Sequence, residues 1–267
     1  MRIVVDAMGS DNAPNPEVKG AVTASLLSDD EIILVGDKPT LEPALAKFSK
    51  QGRISIVHAS ERVAMTDSPM VAVRKKKDSS LLVGLRLVKE GEADAFISAG
   101  NTGAVMMGSR VVLGPIKGVS RSALCQSLPT IPGRPVVALD LGANVDCTAQ
   151  HLVDFASMGS IFAKLTLGVE NPSVGLINIG EETSKGNEIA KVVHQQLTAS
   201  PNVNFIGNIE PKAMYEGQAD VVVCDGFVGN IILETSEAVA KLIKSMLEEE
   251  RTENPIRIAG AALTRGA

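Results

Sequence analysis

Apolar residues fall along this chain in short bursts. β-Branched runs recur as "IVV" at 3–5, "IILVG" at 32–36, "ISIVHA" at 54–59 and "AFISAG" at 95–100. They continue as "VVALDLG" at 136–142, "VGLINIG" at 174–180, "VNFIG" at 203–207 and "VVVCDG" at 221–226. Most are apolar at successive positions rather than alternating, the pattern of parallel strands covered by helices on both faces. Between them, 17–28, 79–90, 149–168, 187–199 and 229–249 repeat apolar positions at helical spacing. This alternation predicts an α/β fold, a three-layer α/β/α sandwich around a mainly parallel sheet. No internal repeat, low-complexity tract or linker interrupts it, so residues 1–267 read as a single domain. The Pro- and Gly-bearing "PTIPGRP" at 129–135 reads as a loop and the one weak boundary.

Several strands end in small or polar residues: Asp6 to Gly9, Ser98 to Gly103, Asp140 to Asn144, Gly180 to Glu182, and Cys224 to Gly226. In an open parallel sheet the carboxyl ends share one edge, and ligands bind in the crevice there. These endings are therefore expected to converge on one site. In "LINIGEETSKGNEIAK" (176–191), Gly180 and Glu181 precede Lys185, Gly186 and Asn187 at the mouth of a helix. A lysine beside free helix N-terminal amides suits an anion such as phosphate. The glycine before the lysine and the Ser/Thr after it that a P-loop needs are both missing, which excludes nucleoside triphosphate binding. The plainer alternative is a solvated lysine with glutamates capping the helix.

"SAGNTGAVMMGS" is not a dinucleotide fingerprint. Ser98, Gly100 and Gly103 still allow a ligand close to backbone amides. Asn101 and Thr102 add neutral donors for a phosphate or a developing oxyanion, or simply cap a tight turn. "LDLGANVDC" sets Asp140 and Asn144 around a glycine turn with Asp146 beyond. Two aspartates would suit Mg²⁺, but a single acid after a strand is more often a turn or cap former, and no metal is expected. "VCDGFVGNIILETSE" repeats the theme with Asp225, Gly226 and Asn230, and Cys224 reads as inert packing. Arg74, Lys75, Lys76 and Lys77 form either a solvated helix face or a dock for an acidic partner.

Composition narrows the choices. The chain has 267 residues, 45% hydrophobic and 21% charged, and a net charge of −5, enough for a sizeable core. Aromatics make up 3% and tryptophan is absent, which removes the stacking platform that single-stranded nucleic acid needs, and the acidic balance disfavours phosphodiester backbones. Cys125, Cys147 and Cys224 have neither metal-ligand nor disulfide-framework spacing, and His58, His151 and His194 form no HExxH cluster. "MRIVVDAMGSDNAP" turns polar too soon for a signal peptide, and no run approaches about 18 apolar residues. A cytoplasmic location is expected.

Seven blocks in order resemble one family: "VDAMGSDNAP", "SPMVAVRKKKDSSL", "ISAGNTGAVM", "LDLGANVDC", "INIGEETSKGNE", "NFIGNIE" and "ADVVVCDGFVGNIILETSE". They are similar to the acyl-acyl-carrier-protein:phosphate acyltransferases of bacterial phospholipid synthesis (PlsX type), over essentially residues 1–240. The resemblance implies a fold like that of phosphotransacetylases and the isocitrate-dehydrogenase-like group, a homodimer, and no dissociable cofactor. It implies conversion of a long-chain acyl-carrier-protein thioester and orthophosphate into acyl phosphate and free carrier protein. The product would pass to a membrane glycerol-3-phosphate acyltransferase. Peripheral membrane contact would come from a protruding helical region at about 237–263, with Leu242, Ile243, Met246, Leu247, Ile256, Ile258 and Leu263 as apolar surface. An ordinary dimer-interface helix is the alternative there. Family members continue through a glycine-rich segment, a strand and a helix, whereas this sequence stops at Ala267.

In that chemistry phosphate is itself the nucleophile, so no catalytic serine or cysteine is required. Lys185 with amides near Gly186 and Asn187 is expected to hold orthophosphate. Gly100 to Gly103, with Asn101 and Thr102, would face the phosphate or the oxyanion. Asn144 and Asn230 would complete a polar wall, with Gly9, Gly180 and Gly226 leaving room and Asp6, Asp140 and Asp225 orienting donors. Arg74 to Lys77 would dock the carrier protein. Two other functions fit the same residues: a phosphotransacetylase-like enzyme using acyl-coenzyme A, and a non-catalytic membrane scaffold that binds carrier protein.

Overall fold

The apolar bursts become strands buried from both sides. In β2 (Glu31–Gly36), Ile32 and Leu34 pack on one face while Ile33 and Val35 pack on the other, and all four are less than a tenth exposed. Period-two side-chain placement with both faces covered is why the sequence shows no alternation. The structure is a computed structural model and describes residues 1–252. It divides into two compact units, Met1–Ser122 and the residues from Ala123 onward, each with its own sheet.

The first unit runs β1 (Arg2–Asp6), α1 (Asn15–Leu27), β2, α2 (Lys38–Leu45), β3 (Ile54–His58), α3 (Pro69–Lys75), α4 (Ser80–Lys89), β4 (Ala95–Ser98) and α5 (Thr102–Val112). Its sheet has the order β3-β2-β1-β4 and is parallel throughout. Val18 and Ala21 of α1 and Leu41 and Ala44 of α2 cover one face. Val83, Leu87 and Val88 of α4 pack beneath Val4, Ile33 and Val35 on the other.

The second unit comprises β5 (Cys125–Leu128), β6 (Val136–Leu139), α6 (Ala149–Leu167), β7 (Ser173–Ile177), α7 (Glu188–Thr198), β8 (Asn204–Ile209), α8 (Pro211–Tyr215), β9 (Val221–Val223) and α9 (Gly226–Thr252). The sheet order is β5-β6-β9-β7-β8, with only β5 antiparallel to its neighbour. Leu152, Phe155 and Ala163 of α6 and Val193 and Leu197 of α7 seal one face. Ala213 and Met214 of α8, with Ile232 and Leu233 of α9, cover the other. Burying a side chain such as Phe155 or Leu197 completely stabilises the unit by about 1.5–3 kcal/mol.

The α/β class and its three layers match the sequence pattern, but the strands are shared between two sheets rather than pooled in one. The division falls between Ser122 and Ala123, after Gly114 (φ 83°), Pro115 and Gly118 have ended the helical repetition of α5. "PTIPGRP" is the turn of the β5–β6 hairpin instead of a boundary. β5 escapes the pattern because "CQSL" is an exposed edge with one buried residue. Of the protruding region expected at 237–263, residues up to Thr252 continue α9 with Leu242, Ile243, Met246 and Leu247 exposed. Ile256, Ile258 and Leu263 lie outside the described residues. Among those described, no helix is long and apolar enough to cross a membrane.

Candidate active site

In the first unit, β1 and β4 are neighbours, so their carboxyl ends meet. Ser98 donates from Oγ to Asp6 Oδ2 at 2.8 Å and accepts the Gly100 N–H at 3.1 Å, while Met8 N–H donates to Asp6 Oδ1 at 3.2 Å. Asp6 is buried. A Cβ on Gly9 would fall 2.7 Å from Asp6 Oδ2 and 3.1 Å from the Gly100 Cα, so both chains need glycine to approach this closely. Asp6, Gly9, Ser98 and Gly100 are thus one cluster. Asn101 caps α5, accepting from Ala104 N–H at 3.0 Å, and its amide nitrogen donates to the Met65 and Asp67 carbonyls. Both ends of this side chain serve the backbone, so the cap reading accounts for them without a ligand. Thr102 follows it, exposed, and Gly103 packs against Pro69 of α3.

In the second unit the strand ends of β6, β9 and β7 are adjacent. Asp140, fully buried, accepts from Leu124 N, Ala143 N, Asn144 N and Asn144 Nδ2 at 2.7–3.0 Å. Four donors use the carboxylate's roughly four acceptor sites, which makes Asp140 a clip for the 140–144 turn and not a metal ligand beside the exposed Asp146. Asn144 also accepts the Gly226 N–H at its carbonyl, 2.8 Å away. Gly229 lies against the same turn: a Cβ there would sit 1.8 Å from the Asp140 carbonyl oxygen. Asp225 caps α9 by accepting Val228 N–H at 2.8 Å. Asn230 is exposed one turn along, with Oδ1 3.0 Å from the place of a Cβ on Gly142. Asp140, Asn144, Asp225, Gly226 and Asn230 therefore form a second cluster.

The loop carrying Lys185 belongs to this unit and is held by two residues that the sequence pattern does not single out. Asn178, after β7, donates to the Lys185 carbonyl at 3.2 Å. Asn208, in β8, donates to the Glu182 carbonyl at 3.0 Å. Both asparagines are buried, at 7% and 5% exposure. Lys185 N–H closes the turn onto the same Glu182 carbonyl at 3.0 Å. Gly186 takes φ +90°, and a Cβ on it would meet the Asn178 amide at 2.7 Å, so only glycine fits between the clamp and α7. Asn187 caps α7 by accepting Ala190 N–H at 2.8 Å. Lys185 and Glu181 are exposed, and the lysine's methylene stem lies over the buried Gly180.

Beside this loop is a cavity of about 670 Å³ whose wall includes Gly186, Asn187, Asn178 and Asp225 together with mainly apolar side chains. Lys185 is not part of that wall. Cys224 is, and its thiol pKa is pushed far above the ordinary value by burial and then by the nearby carboxylates of Asp225 and Asp140. A thiol held protonated this way is not an activated nucleophile. In the first unit the basic run is only partly available. Lys76 Nζ pairs with Asp67 at 2.5 Å and donates to the Arg62 carbonyl, and Lys77 Nζ donates to the Val73 carbonyl. Arg74 and Lys75 are exposed.

The family model for the fatty acid synthesis protein matches residues 1–265. The chain belongs to that family. A phosphate acyltransferase of Desulfitobacterium hafniense (strain Y51) is 49% identical over 262 residues, covering 98% of this chain and 78% of the relative. A phosphate acyltransferase of Thermoanaerobacter pseudethanolicus is 47% identical over 267 residues, covering 100% and 79%. Among solved structures, the EutD phosphotransacetylase from Staphylococcus aureus superposes with TM-score 0.63 at 19% identity, covering 90% of this chain and 82% of that one. A branched-chain phosphotransacylase from Enterococcus faecalis V583 gives 0.55 at 15%, covering 88% and 84%. At these identities the likeness is one of fold.

Membership of the fatty acid synthesis family carries the activity: phosphate acyl transfer in fatty acid and phospholipid synthesis, catalysed by an enzyme. That reaction requires an acyl donor and phosphate as substrates. It places modest demands on the protein. Phosphate attacks directly, so the site must hold an anion in line with an acyl carbonyl and stabilise charge on the carbonyl oxygen. Clamped loops, helix N-termini and a protonated, unreactive cysteine suit this division of labour.

Proposed function

We propose that this enzyme transfers a long-chain acyl group from acyl carrier protein to orthophosphate. The observation that carries the reading is the clamped 179–187 loop. Two buried asparagines fix its carbonyls, leaving the exposed Lys185 beside the N-terminus of α7. A cation and helix N-terminal amides together favour a phosphate dianion. Phosphate oxygen attacks the thioester carbon, the carbon–sulfur bond breaks from the tetrahedral intermediate, and the carrier leaves as a thiolate. A thiol with an ordinary pKa near 8.5 needs no strong general acid to depart. Asn144 and Asn230 are proposed to line the polar wall of the second unit, and Arg74 and Lys75 to meet the carrier. Acyl phosphate would then pass to a membrane glycerol-3-phosphate acyltransferase, with a homodimer working at the cytoplasmic membrane face through apolar residues of α9.

The test is to incubate the chain with palmitoyl-carrier protein and labelled phosphate and to detect palmitoyl phosphate, with palmitoyl- and acetyl-coenzyme A as competing donors. Carrier thioester is expected to react with at least tenfold higher kcat/KM. Lys185→Ala is expected to raise the phosphate KM by about 10- to 100-fold, the loss of one charge-assisted contact. Preference for acetyl-coenzyme A would overturn the donor, and unchanged phosphate kinetics in the variant would overturn the lysine's role.

A further inference from the structure

The cavity of the second unit has a base and a mouth of different character. Leu152, Leu176, Cys147 and Cys224 form the base and are each less than a tenth exposed. At the mouth stand Val145, Ile179 and Ile189, exposed by 61%, 80% and 41%. Large aliphatic side chains held open to solvent around a void that is itself apolar cost hydration free energy unless something apolar occupies the space. The volume of about 670 Å³ lies within the range that encloses a small organic ligand. Its polar members come from three places: Asn178, Gly186 and Asn187 from the clamped loop and the α7 cap, Asp225 from the α9 cap, and the exposed Asp146 beside Val145.

We propose that this cavity seats the hydrocarbon chain of the acyl donor. The acyl carbonyl lies at the Gly186–Asn187 wall and the methyl end against Leu152 and Leu176. The occupant follows from the reaction, because phosphate acyl transfer must hold an acyl group. Among the described residues no charged nitrogen lines this void to recruit an anionic ligand, and the protonated thiol of Cys224 behaves as a small apolar surface. The arrangement puts the reacting carbon beside the loop proposed above to hold phosphate, and on that reading the assignment rests. It makes the second unit the part of the enzyme that measures chain length.

Val145 and Ile189 are exposed, so each can be enlarged without disturbing the core. Val145→Trp and Ile189→Trp are made separately, with folding checked by circular dichroism, and kcat/KM is measured with butyryl- and palmitoyl-carrier protein. In at least one folded variant the palmitoyl-to-butyryl ratio is expected to fall about tenfold or more, as steric loss of several methylene contacts predicts. The phosphate KM should not move. Direct binding of palmitate to the wild-type chain, without carrier or phosphate, is expected and should weaken in the same variant. A ratio unmoved in both variants, or no palmitate binding, overturns the assignment. Palmitate binding that both substitutions weaken, in a chain that forms no acyl phosphate, keeps the cavity's role and rejects the reaction.

Discussion

At the level of single residues, the polar atoms divide into those that build the site and those left to act. Asp140 and Asn101 are built in: each satisfies several backbone groups that would otherwise be unpaired, at about 1–3 kcal/mol for each buried group left without a partner. Cys224 is excluded from the chemistry by its own surroundings. Burial disfavours the thiolate, and the neighbouring carboxylates disfavour it further, so both push the pKa in the same direction. Below that raised pKa the thiol stays protonated, and its reactivity should stay flat from pH 7 to 9 where an ordinary cysteine becomes reactive. Iodoacetamide at pH 8 is expected to modify Cys224 at least 100-fold more slowly in the native chain than in urea, measured by mass spectrometry. In the absence of phosphate, acyl-carrier protein should release no burst of free carrier, because no acyl-enzyme forms. A stoichiometric burst would restore the thiol as a candidate nucleophile.

Among elements, the loop between β7 and α7 shows what a sequence does and does not reveal. Its helix start is legible from the apolar-periodic stretch after 187, but the cap is Asn187 and not the glutamates of the plainer alternative. Its clamp is not legible. Asn208 reaches a carbonyl 26 residues earlier in the chain, and nothing in the local pattern marks an asparagine that works across strands. Asp140 is the converse case: the sequence favours a turn former over a metal ligand, and the structure shows a carboxylate saturated by the 140–144 turn and Leu124 N–H. Replacing Asn208 by Leu removes the donor to Glu182 while keeping an apolar volume against the sheet. The Glu182 carbonyl can then turn to water, so the thermal midpoint should drop by only a few degrees for a change of about 1 kcal/mol. The loop would sample more positions, and the phosphate KM is expected to rise about tenfold with the donor KM unmoved. A variant that loses stability with no change in phosphate KM would make Asn208 structural alone.

For the molecule as a whole, the class of fold was visible because fully buried parallel strands leave continuous apolar runs, whereas the split into two sheets was not. Which sheet a strand joins depends on where crossovers return, and β5 joins by an antiparallel edge contact that leaves most of its residues polar and exposed. Charge is another molecular property that the linear run overstates. The chain carries −5 overall, and of its four consecutive basic residues only Arg74 and Lys75 are exposed and without a role in folding the loop around them. Lys76 instead lowers the Asp67 carboxyl below the usual range through their hydrogen bond, aided by the Ala64 N–H. A depressed carboxylate stabilises this loop above the ordinary carboxylate pKa and loses that contribution as the pH falls through its lowered value. Charge reversal at Lys76 would therefore mix docking with local unfolding, and the informative pair is Arg74→Glu with Lys75→Glu. Both lie on α3 beside the half-exposed Met70 and Val71, a small apolar and basic surface suited to an acidic, amphipathic partner. Because exposed charges act through a screened potential, the double variant should raise the KM for the carrier-borne donor about tenfold at 20 mM salt and much less at 500 mM. Phosphate saturation should be the same at both. A carrier KM that ignores both charge reversal and salt would leave this helix face as solvated surface and place recognition of the donor on its acyl group.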